Sequence, residues 1–137
     1  MTARSALLVF DDYIAIGTSG STYVYTPTAF NDDLGTYDVL AFEVVVDNVV
    51  VSTSGSLSVY LQHSADNRSF VYSDFTTTPP VTPDVRLSTL STTSTNFGIG
   101  AYGGAYPLFG YVRFAMQFGE WTTAAHVKLF VTQRDLA

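Results

Sequence analysis

An all-β fold is predicted: an antiparallel β-sandwich of the jelly-roll type, with eight to ten short strands and no major helix. Three observations carry this expectation. Apolar residues recur with a period of two and almost nowhere at 3.6, the pattern of half-buried strands. The composition is rich in strand-favouring residues, with 18 Thr and 20 aromatics (10 Phe, 9 Tyr and 1 Trp), and 13 Ser add to the hydroxyls. Turn-forming clusters separate the apolar segments, and the prolines fall only in loops. At 137 residues the chain is expected to form a single domain over 1–137.

Strands are expected at about 5–10, 12–16 and 22–26, with turns at Gly17-Thr-Ser-Gly20 and Asn31-Asp-Asp-Leu-Gly35. The run 37–51 places Leu40, Phe42, Val44 and Val46 on one face and Glu43 and Asp47 on the other. Its length suits either one long strand or one bent by a bulge. Leu57, Val59, Leu61 and His63 then alternate with Ser56, Ser58, Tyr60, Gln62 and Ser64, and the Asp66-Asn67 turn follows. Weaker strands at 69–75, 85–91 and 96–101 flank a Thr/Pro segment, 76–84, that reads as a crossing between two sheets or a plain surface loop. Two alternating strands close the chain. Val112, Phe114, Met116 and Phe118 oppose Tyr111, Arg113, Ala115 and Gln117, and Val127, Leu129 and Val131 oppose His126, Lys128, Phe130 and Thr132. The expected core faces are Leu57, Val59, Leu61, Phe114, Met116, Phe118, Val127, Leu129 and Val131.

Charge excludes several functions. Only 13% of residues are charged, and 12 acidic against 6 basic residues leave a net charge of -6. That sign disfavours nucleic acid and anionic membranes as partners. With no cysteine there is neither disulfide nor thiolate chemistry. The apolar run before Asp11-Asp12 is too short for a signal peptide, and no segment is apolar over the ~18 residues of a membrane span.

No catalytic residues, metal or cofactor are expected. His63 and His126 lack a metal-ligand spacing and read as a packed and a surface histidine. Asn31-Asp32-Asp33 and Asp11-Asp12 offer oxygen ligands without calcium-loop spacing, so solvated loop carboxylates and a structural calcium near 31–33 both stay open. His63-Ser64-Ala65-Asp66 holds the residue types of a catalytic triad, but on a strand entering a hairpin those side chains diverge. Glu43, Glu120 and ten aspartates show no spacing for a glycosidase pair. Gly98-Ile-Gly100-Ala-Tyr-Gly103 precedes no helix and is no phosphate loop.

The charge-free segment 87–112 holds five of the ten glycines with Phe97, Tyr102, Tyr106, Phe109 and Tyr111. It is expected to be buried, either in the core or in a protein interface that includes those five aromatics and Arg113; a sugar-stacking platform is the third possibility. Arg113 should pair with an acid on a neighbouring strand or join the interface. If the surface binds sugars, Trp121, Tyr102 and Tyr106 are the candidate platforms, Trp121 otherwise capping the core.

The segments Ser56 to Phe70, Phe109 to Gly119 and Ala125 to Asp135 resemble small virion proteins of tailed bacteriophages, which carry "L-x-V-x-L-x-H-S-x-D", "x-V-R-x-x-x-x-x-G" and "V-x-L-x-V-x-x-R" strands. The resemblance covers about 55–135. It implies a non-enzymatic jelly-roll protein of the virion, a head decoration or minor capsid component made in the host cytoplasm. Its partners would be the major capsid protein or other virion subunits, bridged by a homo-oligomer with a trimer favoured. The "H-S-x-D-N-x-x-F" hairpin is also similar to that of discoidin-like and carbohydrate-binding sandwiches, which implies a carbohydrate-binding module as the alternative.

Overall fold

The structure, a computed structural model, describes residues 2–3, 7–15, 23–30, 39–51, 55–103, 108–119 and 122–135. Among them are eleven strands: β1 (Thr2–Ala3), β2 (Leu7–Ala15), β3 (Tyr23–Tyr25), β4 (Ala29–Phe30), β5 (Val39–Val51), β6 (Leu57–Ser64), β7 (Val71–Tyr72), β8 (Val85–Leu87), β9 (Asn96–Tyr102), β10 (Tyr111–Phe118) and β11 (Thr122–Asp135). They form two antiparallel sheets. The five-stranded sheet runs β1-β11-β5-β9, with β2 also on β11; the six-stranded sheet runs β3-β10-β6-β7, with β4 on β10 and β8 on β6. The fold is the expected jelly-roll sandwich.

The core lies between the sheets, where the period-two pattern places it. All nine residues expected on the inner faces are buried, joined by Leu40, Phe42, Val44 and Val46 from β5. Phe42 and Phe114 meet edge to face at 5.1 Å and tie the two layers together.

Long strands absorb what looked like separate or alternative elements. Residues 5–10 and 12–16 contribute to one strand, β2, with an irregular register opposite Leu129 and Phe130. The Asp11-Asp12 pair does not interrupt it, because Asp11 reaches outward to His126. In β5 the bulge lies at Asn48, whose φ is 50. The extra residue shifts the alternation, so Val49 rather than Asn48 follows Val46 into the core. Conversely, the strands expected over 69–75 and 85–91 shrink to β7 and β8. Between them, Leu61 has no strand partner on that edge of β6, and Asp84 Oδ2 accepts its N–H at 2.7 Å. At β3 the strand stops before Pro27. Thr26 carries the connection onward by donating its N–H to the Phe114 carbonyl and accepting the Phe114 N–H on Oγ1, each at 2.9 Å.

The charge-free segment departs from its expected burial. On β9 the inward positions are Gly98 and Gly100, because β8 lies against them: a Cβ on Gly98 would sit 2.8 Å from Val85, and one on Gly100 would strike the Asp84 carbonyl. The alternate residues therefore face out, leaving Phe97 65% and Ile99 78% exposed.

Candidate functional site

The outer face of the six-stranded sheet is unusual because its central strand is covered. Every residue of β6 is buried, including Ser58, Tyr60, Gln62 and Ser64, which point away from the core. Antiparallel pairing sets their neighbours: Gln62 lies between Arg113 and Tyr72, while Tyr60 lies beside Ala115, itself opposite Tyr25. Ala115 is small and buried, and Tyr60 and Tyr72 pack around it with Tyr23 at the margin. The rings form a continuous cluster. Tyr60 meets Tyr72 edge to face at 5.6 Å, Tyr23 lies 6.3 Å from Tyr60, and Tyr23 stacks on Tyr25 at 6.3 Å.

Polar groups link these rings. Arg113 Nε donates to Gln62 Oε1 at 2.8 Å, and the Gln62 amide and the Tyr23 hydroxyl both bond the Tyr72 hydroxyl. Burial, reinforced by Tyr72 and Tyr60, pushes the Tyr23 hydroxyl up to about 12. Burial likewise raises Tyr72, so both phenols stay protonated and act as hydrogen-bonding groups. The Arg113 guanidinium lies between two rings, 4.0 Å from the Tyr25 centroid and 3.8 Å from that of Phe70. Burial lowers its pKa, yet an arginine remains cationic.

This cluster of Tyr23, Tyr25, Tyr60, Gln62, Phe70, Tyr72 and Arg113 contains neither carboxylate nor imidazole. It offers ring surface, amide and hydroxyl groups and a fixed cation. Those groups suit recognition of a hydroxyl-rich ligand, whose C–H faces lie on rings and whose hydroxyls exchange hydrogen bonds. General acid–base chemistry has no evident provider here.

The two histidines serve elsewhere. His63 faces the opposite side of β6 and is fully buried. Its Nδ1 accepts the Phe109 N–H at 3.0 Å, which leaves the proton on Nε2, 3.1 Å from the Tyr72 carbonyl. Burial lowers its pKa, and Phe75 and Phe109 pack on its ring. His126 lies on the outer face of the other sheet between Asp11 (2.6 Å) and Asp47 (2.9 Å). Among the described residues no group of three or more His, Cys, Asp or Glu side chains could hold a metal.

The structure disperses the residues singled out from sequence. Tyr111 and Arg113 share the outer face of the six-stranded sheet, but Phe97 lies on the opposite sheet and Phe109 packs on His63. Arg113 meets a neutral Gln62 and two rings rather than the acid expected on a neighbouring strand. Tyr102 faces inward with Gly98 and Gly100 and packs at the core margin, so its ring is no open platform. Tyr106, Trp121 and Asn31-Asp32-Asp33 lie outside the described residues. Sequence reading missed Tyr23, Tyr25, Tyr60, Gln62, Phe70 and Tyr72. The signal was present in Tyr23-Val24-Tyr25 and in Tyr60 and Gln62 alternating against core residues, yet it does not say which strands lie side by side.

No family model matches the chain, and no curated protein matches it. Solved structures do. The C-terminal family 22 carbohydrate-binding module of Clostridium thermocellum Xyn10B superposes with a TM-score of 0.61 at 10% identity, covering 96% of this chain and 83% of that one. The N-terminal CBM22-1-GH10 modules of endo-1,4-beta-D-xylanase 10B from the same organism, complexed with xylohexaose, give 0.55 at 5% identity, over 96% of this chain and 26% of that one. The CBM22-1 xylan-binding domain of Paenibacillus barcinonensis Xyn10C gives 0.50 at 14% identity, covering 96% and 83%.

These likenesses share the sandwich fold and overturn the virion reading, since the superposed proteins are carbohydrate-binding modules rather than capsid proteins. The decoration or minor capsid role, the major capsid and virion partners, the trimeric homo-oligomer and the virion location fall with it. The motif misled for a physical reason. "L-x-V-x-L-x-H-S-x-D" encodes a buried strand face, a histidine clamp and a turn in which Asp66 accepts the Arg68 and Ser69 N–H groups at 2.9 Å. A hairpin in any sandwich can use those devices. No helix among the described residues is long and apolar enough to cross a membrane.

Proposed function

We propose that this protein is a non-catalytic carbohydrate-binding module that holds a polysaccharide chain across the outer face of its six-stranded sheet. The observation that carries this reading is the Arg113 cluster, in which a guanidinium held between the Tyr25 and Phe70 rings is hydrogen-bonded through Gln62 toward Tyr72. Tyr25, 46% exposed, supplies open ring surface at its edge. Such a face gives apolar contact to sugar C–H groups and directional bonds to their hydroxyls with little reorganisation. The fold shared with a xylan-binding domain and with modules complexed with xylohexaose supports a β-1,4-linked pentose chain as the first ligand to test. Affinity electrophoresis through gels containing xylan, mixed-linkage glucan or mannan checks the reading. The protein should be retarded by xylan, and unchanged mobility in all three gels would contradict it.

A further inference from the structure

The site holds a positive charge that nothing described neutralises. Arg113 is half-buried, its two flat faces are covered by Tyr25 and Phe70, and its Nε is taken by Gln62 Oε1. What remains is the in-plane edge bearing Nη1 and Nη2, a fork whose geometry matches the two oxygens of a carboxylate. Among the described residues no carboxylate pairs with Arg113. The described acids of this half of the molecule have other occupations: Asp66 caps its own turn, Asp74 accepts from Thr76, and Asp84 accepts from Leu61 and Ser73.

Charge is also divided between the two faces. The described outer face of the five-stranded sheet carries Asp11, Glu43 and Asp47 with His126 and Lys128. The opposite face carries Arg113 and Arg86, the latter 3.4 Å from Ser58 Oγ, with Arg68 in the adjoining hairpin. Asp66, Asp74 and Asp84 balance these arginines in number, so what favours an anionic ligand is the Arg113 fork itself, whose charge no described carboxylate meets.

We infer that the Arg113 fork is a carboxylate-recognition site, and that the polysaccharide bound on this face carries uronic acid residues. This rests on the carbohydrate-binding reading above. The carboxylate belongs either to a branch on a neutral chain or to the main chain of a polyuronate; the chemistry presented to Arg113 is the same in both.

Calorimetry with four oligosaccharides of matched length tests it. They are neutral xylohexaose, a xylo-oligosaccharide bearing one glucuronic acid branch, that same compound with its carboxyl group reduced to the alcohol, and an oligogalacturonide. The branched acid should bind about tenfold tighter than its reduced form, the size of a bidentate charge-assisted bond, and added salt should narrow the gap. Arg113→Lys, which keeps the charge and loses the fork, should narrow it as well. Should that variant fail to fold, the acid and reduced ligands still decide the question on the unaltered protein. Tighter binding of the oligogalacturonide than of the branched acid would support the inference and assign the uronate to the main chain. Equal affinity for the acid and its reduced form overturns the inference while leaving the carbohydrate reading intact. Binding of none of the four overturns both.

Discussion

His63 accepts the Phe109 N–H and donates to the Tyr72 carbonyl, so one buried ring holds β7 and the 108–110 segment against β6. Protonation would place a hydrogen on Nδ1 facing the Phe109 N–H, which together with burial keeps the native ring neutral. Its native pKa lies below the unfolded value, so the stability it contributes is full above about pH 6.5 and is lost as pH falls toward the native value. His126 behaves oppositely. Asp11 and Asp47 raise its pKa, so its contribution is full below about pH 6.5 and disappears as pH rises through the native value. Two outcomes follow, both read as thermal midpoints. His63→Leu should lower stability by about 1–3 kcal/mol near neutral pH, because the Phe109 N–H loses its acceptor while the Tyr72 carbonyl keeps only the Phe75 N–H. His126→Asn should cost more at about pH 5.5 than at about pH 8.5, and an equal loss at both would show that the Asp contacts do not matter.

Among the elements, β5 and β9 show where local sequence fails and why. The bulge at Asn48 was legible as a possibility from the length of the 37–51 run, but its position depends on pairing with β11, where three residues of β5 span two of β11. Asn48 tolerates a left-handed φ of 50, and a β-branched residue does not. Asn48→Val should therefore destabilise by about 1–2 kcal/mol in chemical denaturation, whereas Asn48→Gly should change little. On β9 the glycines could be counted from the sequence, but the strand they make room for lies ten or more residues upstream in the other sheet. Gly100→Ala should lower the midpoint more than Gly98→Ala, because the first meets the Asp84 backbone and the second the side chains of Val85 and Leu87. Strand faces were readable throughout since alternation is local. Which outer faces sit side by side was not, and the ring cluster on β3, β6, β7 and β10 exists only through that adjacency.

At the scale of the molecule, the two outer faces differ in kind. One carries acids and the exposed Phe97 and Ile99; the other carries a hydrogen-bonded cluster of tyrosines around Arg113. The low overall charge, 13% of residues, accords with a sheet whose outer side is lined with rings, amides and hydroxyls. Carbohydrate binding on the second face is the central claim, and variants on the two faces separate it from every effect on stability. Titration calorimetry with xylohexaose should be run on the unaltered protein, Tyr25→Ala and Phe97→Ala, each shown to be folded by its thermal midpoint. The unaltered protein should bind, Tyr25→Ala should bind about tenfold more weakly, equivalent to about 1.4 kcal/mol, and Phe97→Ala should bind as the unaltered protein does. Affinity that survives Tyr25→Ala and disappears with Phe97→Ala would contradict the central claim.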